Sequence, residues 1–240
     1  ADTRIIGSCL GEDALASVGL TNSLNSLIIG FLTGMTDGFA IIVARRFGSK
    51  DEDELKNAVA HTIVLGILTS ILLTCFSVFF LRDILLFLNT PDDLLRDAIV
   101  YFQIILFGLT ASMFYNVASA VLRSIGDTVT PLCFLIISTI CNVLLDLLFI
   151  FLFHAGVKGV ALATVFSQAL SALACIVYAW LRYPLLRLRK QDFHLTVESM
   201  KEMYAIGCSM GLMSCFINIG SVALQTRINT FGNNTIVAHT

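Results

Sequence analysis

The chain has 240 residues, 57% of them hydrophobic and only 13% charged, with a formal net charge of −2 and a mean hydropathy of +0.86. Soluble domains carry about 25% charged residues, so this composition lacks the surface charge that a water-soluble enzyme or a disordered region needs. A near-neutral chain also has no long-range pull on nucleic acid. The apolar excess must face lipid, which predicts an all-α polytopic bundle of membrane-spanning helices.

In chain order, residues 1–7 read as the tail of a first helix. Complete spans of about 20 or more mainly apolar residues follow at 14–43, 59–81, 94–122, 131–153 and 157–181, and another runs from 204 to 231. Turn residues and charges separate them, as in Gly48-Ser49-Lys50-Asp51, Gly126-Asp127 and His154-Ala155-Gly156. Of the seven cysteines, only Cys9 stands beside an expected loop. The others sit in apolar runs and read as small packing residues, not a disulfide framework.

Loop charge predicts orientation. Successive loops alternate sides, with Arg4, Arg82, Arg96 and Lys158 on one side. On the other are ten basic residues, from Arg45, Arg46 and Lys50 to Arg187, Arg189, Lys190 and Lys201. The positive-inside rule places the richer side, the loops between spans two and three, four and five, and six and seven, in the cytoplasm.

A repeat supports a two-part organisation. The segment from Asp2-Thr3-Arg4-Ile5 to Gly11 and Ala14-Leu15-Ala16 resembles Gln225-Thr226-Arg227-Ile228 to Gly232 and Ile236-Val237-Ala238, with a gap of two residues. Gly11 and Gly232 then lie one period of 221 residues apart. Six spans intervene, so the repeat is parallel. The expected division is a first lobe over 1–181, a cytoplasmic linker over 182–203 and the first helix of a second lobe over 204–240. An intact protein of about twice this length is expected from a two-lobe repeat.

Ionisable residues inside a membrane are costly and mark function. Asp146 is the clearest, and Asn142 shares its helix face at i,i+4. Taking Ala155 as the tip of the hairpin between spans five and six, Asp146 and Thr164 each lie nine residues away. That puts both at one depth, roughly 13 Å from the tip at about 1.5 Å per residue. Asp2 lies nine residues before Gly11 and falls at the same level. Two carboxylates, an amide and a hydroxyl suit Na⁺, and a desolvated carboxylate beside another acid also holds a proton. Tyr101 on the fourth span reaches the same level; Asn116 and Gln168 are weaker polar candidates. Asp37 stands near Arg45 and suggests a structural or gating ion pair. Met210 and Met213 on the last span read as packing, or as the flexible wall of a promiscuous apolar pocket. The four histidines show no metal-binding spacing, and no nucleophile motif is present. No catalytic residue and no cofactor beyond a coupling ion is expected.

These residues resemble the multidrug and toxic compound extrusion (MATE) transporters. The resemblance is carried by Asp2-Thr3 with Gly11-Glu12-Asp13-Ala14-Leu15-Ala16, and by Val43-Ala44-Arg45-Arg46-Phe47-Gly48-Ser49-Lys50-Asp51. Its strongest piece is Leu122-Arg123-Ser124-Ile125-Gly126-Asp127-Thr128-Val129-Thr130-Pro131, followed by Asn142-x-x-x-Asp146 and Gly156-Val157-Lys158-Gly159-Val160-Ala161-Leu162-Ala163-Thr164. The resemblance implies a plasma-membrane antiporter of two six-helix lobes exchanging Na⁺ or H⁺ for organic, often cationic, drugs. It also implies a first-lobe cation site at Asp2, Asn142, Asp146 and Thr164, with Tyr101 nearby. The partners it implies are small-molecule drugs, the lipid bilayer and the second lobe of the same chain, with no nucleic acid. Asp37 departs from the family pattern, in which a small or neutral polar residue is usual. The competing reading is a flippase of lipid-linked precursors from the same superfamily.

Overall fold

In hydrocarbon every backbone N–H and C=O must find a partner within the chain, and a run of apolar residues meets that demand as a helix. The computed structural model describes residues 5–7, 12–87, 92–194 and 196–230. Its helices are α1 (Glu12–Gly48), α2 (Glu52–Phe87), α3 (Asp92–Phe107), α4 (Leu109–Ser124), α5 (Val129–Phe151), α6 (Gly156–Arg182) and α7 (Val197–Thr230). Residues 5–7 are helical as well, and no strand occurs among the described residues. Asp2, Cys9, Gly11 and residues 231–240, for which the sequence raises expectations, lie outside the described residues.

Among the described residues five helices are long and apolar enough to cross a membrane, and α3 with α4, taken together, make a sixth span. This agrees with the spans expected from the sequence, with two differences. The fourth is not one rod: it bends by 40° at Gly108. There α6 comes so close that a Cβ on Gly108 would stand 3.0 Å from Val165 Cγ1. Two residues earlier, the Thr74 hydroxyl of α2 donates to the Leu106 carbonyl at 3.0 Å. The second difference is that α7 begins at Val197 instead of 204, which shortens the link after α6. That link folds into two 3-10 turns, Pro184–Leu186 and Lys190–Asp192.

Apolar residues fill the interior and also the outward faces, unlike the surface of a soluble protein. The large apolar residues Phe76, Phe79, Leu144 and Phe166 point outward, as faces toward lipid would. The buried edge of α5 is Pro131, Ser138, Asn142, Asp146 and Ile150. It meets an α6 face of small residues, including Gly159, Ala163, Ser167 and Ser171. Small residues let membrane helices approach closely. A Cβ on Gly159 would sit 2.8 Å from Phe149 Cβ.

A second close seam joins α1 to α7. Gly30, Gly34 and Gly38 face Asn218, Ser214 and Gly207, and a Cβ on Gly38 would lie 2.7 Å from the Gly207 Cα. Arg45 of α1 closes one end on Glu202 of α7 at 2.7 Å. Gly38→Ala in the full-length protein is expected to destabilise by about 1–3 kcal/mol through overpacking, read as a lower Tm in detergent. Gly19, with nothing within 4 Å of its added Cβ, is the control: Gly19→Ala should hold or raise the Tm.

Candidate functional site

Three pairs fix the register of α5 against α6. Ser171 donates to the Phe134 carbonyl (3.4 Å), Ser138 to the Ser167 carbonyl (2.7 Å), and the Asn142 amide to the Thr164 hydroxyl (3.5 Å). The hairpin is therefore centred near residue 153, between Phe151 and Gly156, and not at Ala155. This corrects the expected levels. Thr164 lies opposite Asn142, and Asp146 is one turn farther toward the hairpin, about 5–6 Å along the axis.

Asp146 is fully buried, and Asn142 is 8% exposed. Thr164 is half-buried and donates to the Val160 carbonyl at 3.0 Å. Tyr101 is buried on α3, which packs on α6. None of Tyr101, Asp146 and Thr164 is without a partner. The structure thus brings Asn142, Thr164 and the buried edge carrying Asp146 together, while Asp2 lies outside the described residues.

Away from the hairpin the polar track continues. Ser112 of α4 bonds Gln168 of α6, and Ser167 donates to the Thr164 carbonyl at 2.9 Å. A cavity of about 180 Å³ opens here, with Asn116, Gln168, Ser112, Ser138 and Ser171 in its wall. Asn116 and Gln168, weak candidates in the sequence, therefore share one cavity. The serines were missed, although Ser138-x-x-x-Asn142-x-x-x-Asp146 shows the same i,i+4 spacing and signals them.

Other candidates lie elsewhere. Asp37 does form an ion pair, but with Arg123 of α4 at 2.7 Å; Arg45 is committed to Glu202. The side chains of Asp37 and Arg123 are both roughly two-fifths exposed. Met210 lies on the α1–α7 seam, where its carbonyl approaches Gly34. Met213 is exposed on α7, and neither methionine joins the Asn116–Gln168 cavity.

The Arg123–Asp127 turn is a clasp between helices. Ser124 donates to the Ala40 carbonyl of α1 at 3.0 Å. Gly126 takes a φ of +95°, open to glycine without steric cost. Asp127 then accepts from the Thr130 N–H (3.1 Å), capping α5, and from the Tyr183 hydroxyl (2.9 Å) at the end of α6.

Residues 1–148 match the MatE family model. The chain belongs to the MatE family. Over 245 residues this MatE chain is 29% identical to the probable multidrug resistance protein YoeA of Bacillus subtilis (strain 168), covering 98% of the chain and 52% of that protein. It is 28% identical to YpnP of the same organism, another probable multidrug resistance protein, with the same coverage. Among solved structures, an inward-facing multidrug resistance MATE family transporter superposes with a TM-score of 0.83 at 26% identity, over 91% of this chain and 50% of that one. The chain spans about half the length of the curated relatives it matches. With its long apolar helices, this MatE chain is part of a multi-pass integral membrane protein.

Burial raises the Asp127 pKa, but the bonds from Thr130 and Tyr183 outweigh it and hold the carboxyl below the usual range. The stabilisation from this lowered pKa is therefore present at neutral pH and fades as pH falls through the folded pKa. Asp127→Ala is expected to cost about 1 kcal/mol of stability at neutral pH through loss of the cap. In thermal unfolding the gap from wild type should narrow in acid, where the wild-type carboxyl also protonates.

Proposed function

We propose that the intact protein is a secondary active exporter of small organic compounds, often cationic, driven by exchange for Na⁺ or H⁺. The observation that carries this is the fully buried Asp146 one turn from Asn142, itself in contact with Thr164, in a chain of the MatE family. A carboxylate amid helices is retained at high cost and is the natural seat of a coupling ion. The relatives named as multidrug resistance proteins support the substrate class.

In this reading the α5–α6 hairpin holds the cation. Asp146 supplies negative charge, Asn142 and Thr164 supply neutral oxygens, and Tyr101 and Asp2 complete the surroundings. Cation binding neutralises the buried charge and shifts the balance between outward- and inward-open states. It does so only insofar as its affinity differs between them. Drug release toward the outside accompanies cation entry. Asn116 and Gln168 face the cavity adjoining this site and contact substrate, with the second lobe supplying the opposite wall. Residues 1–181 form the first lobe, 182–203 the linker, its last residues already in the first turns of α7, and 204–240 the start of the second lobe. The protein lies in the cell membrane with the basic loops in the cytoplasm. The flippase alternative gains no support from the relatives described above.

The test uses the full-length protein in everted vesicles with a fluorescent organic cation under an imposed Na⁺ or pH gradient. Gradient-driven transport is expected in wild type, and its loss in Asp146→Asn at equal membrane abundance. Coupled transport retained by Asp146→Asn would overturn the site, and none in wild type under either gradient would overturn the function. Thr164→Val should leave transport intact but raise the cation concentration for half-maximal driving by about tenfold, the order expected for one hydrogen bond to a charged group.

A further inference from the structure

A second cleft, independent of the transport reading, opens at the linker end of the bundle. It holds about 340 Å³, within the range of small-ligand pockets. Its walls are apolar: Val59 from α2, Phe114 and Val121 from α4, Trp180 from α6, and Leu186 and Leu188 from the linker. Among the described residues none of α1 or α7 lines it.

A cation stands at its rim, in a basic stretch of the chain. Arg182, Arg187, Arg189 and Lys190 are exposed within nine residues, and the nearby Asp192 is turned inward on the Arg189 N–H at 2.6 Å. Arg187 is held at the rim by two contacts. Its Nε donates to the Trp180 carbonyl at 2.9 Å, and its guanidinium carbon lies 5.2 Å from the Trp180 ring centroid. Trp180 itself is 57% exposed, as befits an indole at the headgroup level.

We infer that this cleft seats one acyl chain of an anionic phospholipid from the leaflet on the linker side, with its phosphate at Arg187. The apolar walls select a hydrocarbon chain, and Arg187 at the rim selects a negative headgroup. A basic patch beside a membrane helix attracts anionic lipid by about a fivefold gain per Lys or Arg.

Trp180 is the single tryptophan of these 240 residues, which gives the site its own reporter. The full-length protein is placed in phosphatidylcholine bilayers with a minor fraction of lipid brominated on its acyl chain. The Trp180 signal is the difference between wild type and Trp180→Phe. Brominated phosphatidylglycerol should quench it at about one-fifth or less of the fraction needed with brominated phosphatidylcholine. Arg187→Gln should bring the two curves together, Lys158→Gln at the hairpin end should leave them apart, and Ala118→Phe, on the α4 wall of the cleft, should fill it and reduce quenching by phosphatidylglycerol. Equal quenching by both lipids in the wild-type protein would mean ordinary lipid contact and would overturn the proposal without recourse to any variant in the cleft. So would a preference that survives Arg187→Gln, or quenching unaffected by Ala118→Phe.

Discussion

The arrangement of the bundle depends on a carboxylate that has no access to water. Asp146 sits on the buried edge of α5 with Asn142 and Ser138. A helix that hides its polar edge must be covered by a neighbour able to come close and offer polar atoms. The small face of α6 does both, since its glycine, alanines and serines permit close approach while Thr164 and Ser167 supply oxygens. The outer flank of α5 can then be almost wholly aliphatic, because lipid needs nothing else from it.

At the other end the chain is held by polar contacts of a different kind. Arg123, Ser124, Gly126 and Asp127 tie α4 to α1, turn the chain, cap α5 and anchor the end of α6. The segment that most strongly marks the family in the sequence is thus a joint between four helices. Surface-exposed ion pairs contribute little on their own. The Asp37–Arg123 pair gains its significance from the hydrogen bond and turn immediately beside it.

Much of this was legible in the sequence because lipid imposes a long, simple signal. Span number and approximate limits follow from apolar runs, and the polar edge of α5 follows from i,i+4 spacing. What escaped was set by contacts between distant segments. Gly108 looks like any glycine in an apolar run until Val165 is placed against it. The turn residues His154-Ala155-Gly156 point to a tip at Ala155, but cross-helix bonds centre the hairpin near residue 153, and Asp37 pairs with Arg123 of a different helix instead of the arginine nearest in sequence. Asp2 falls outside the described residues, so its part in the site rests on the sequence alone.

The glycine-lined seam between α1 and α7 has a consequence for motion. Packed side chains lose rotamer freedom when an interface forms, and regain it when the interface parts. Gly34, Gly38, Gly207 and Gly211 have no rotamers to order. Over that stretch Gly38 and Gly207 bring backbone against backbone, while the Phe39 and Phe31 rings of α1 fill the sockets at Gly207 and Gly211. The rotamer entropy at stake when this seam forms or parts therefore belongs to the rings of α1 and not to the glycines that receive them.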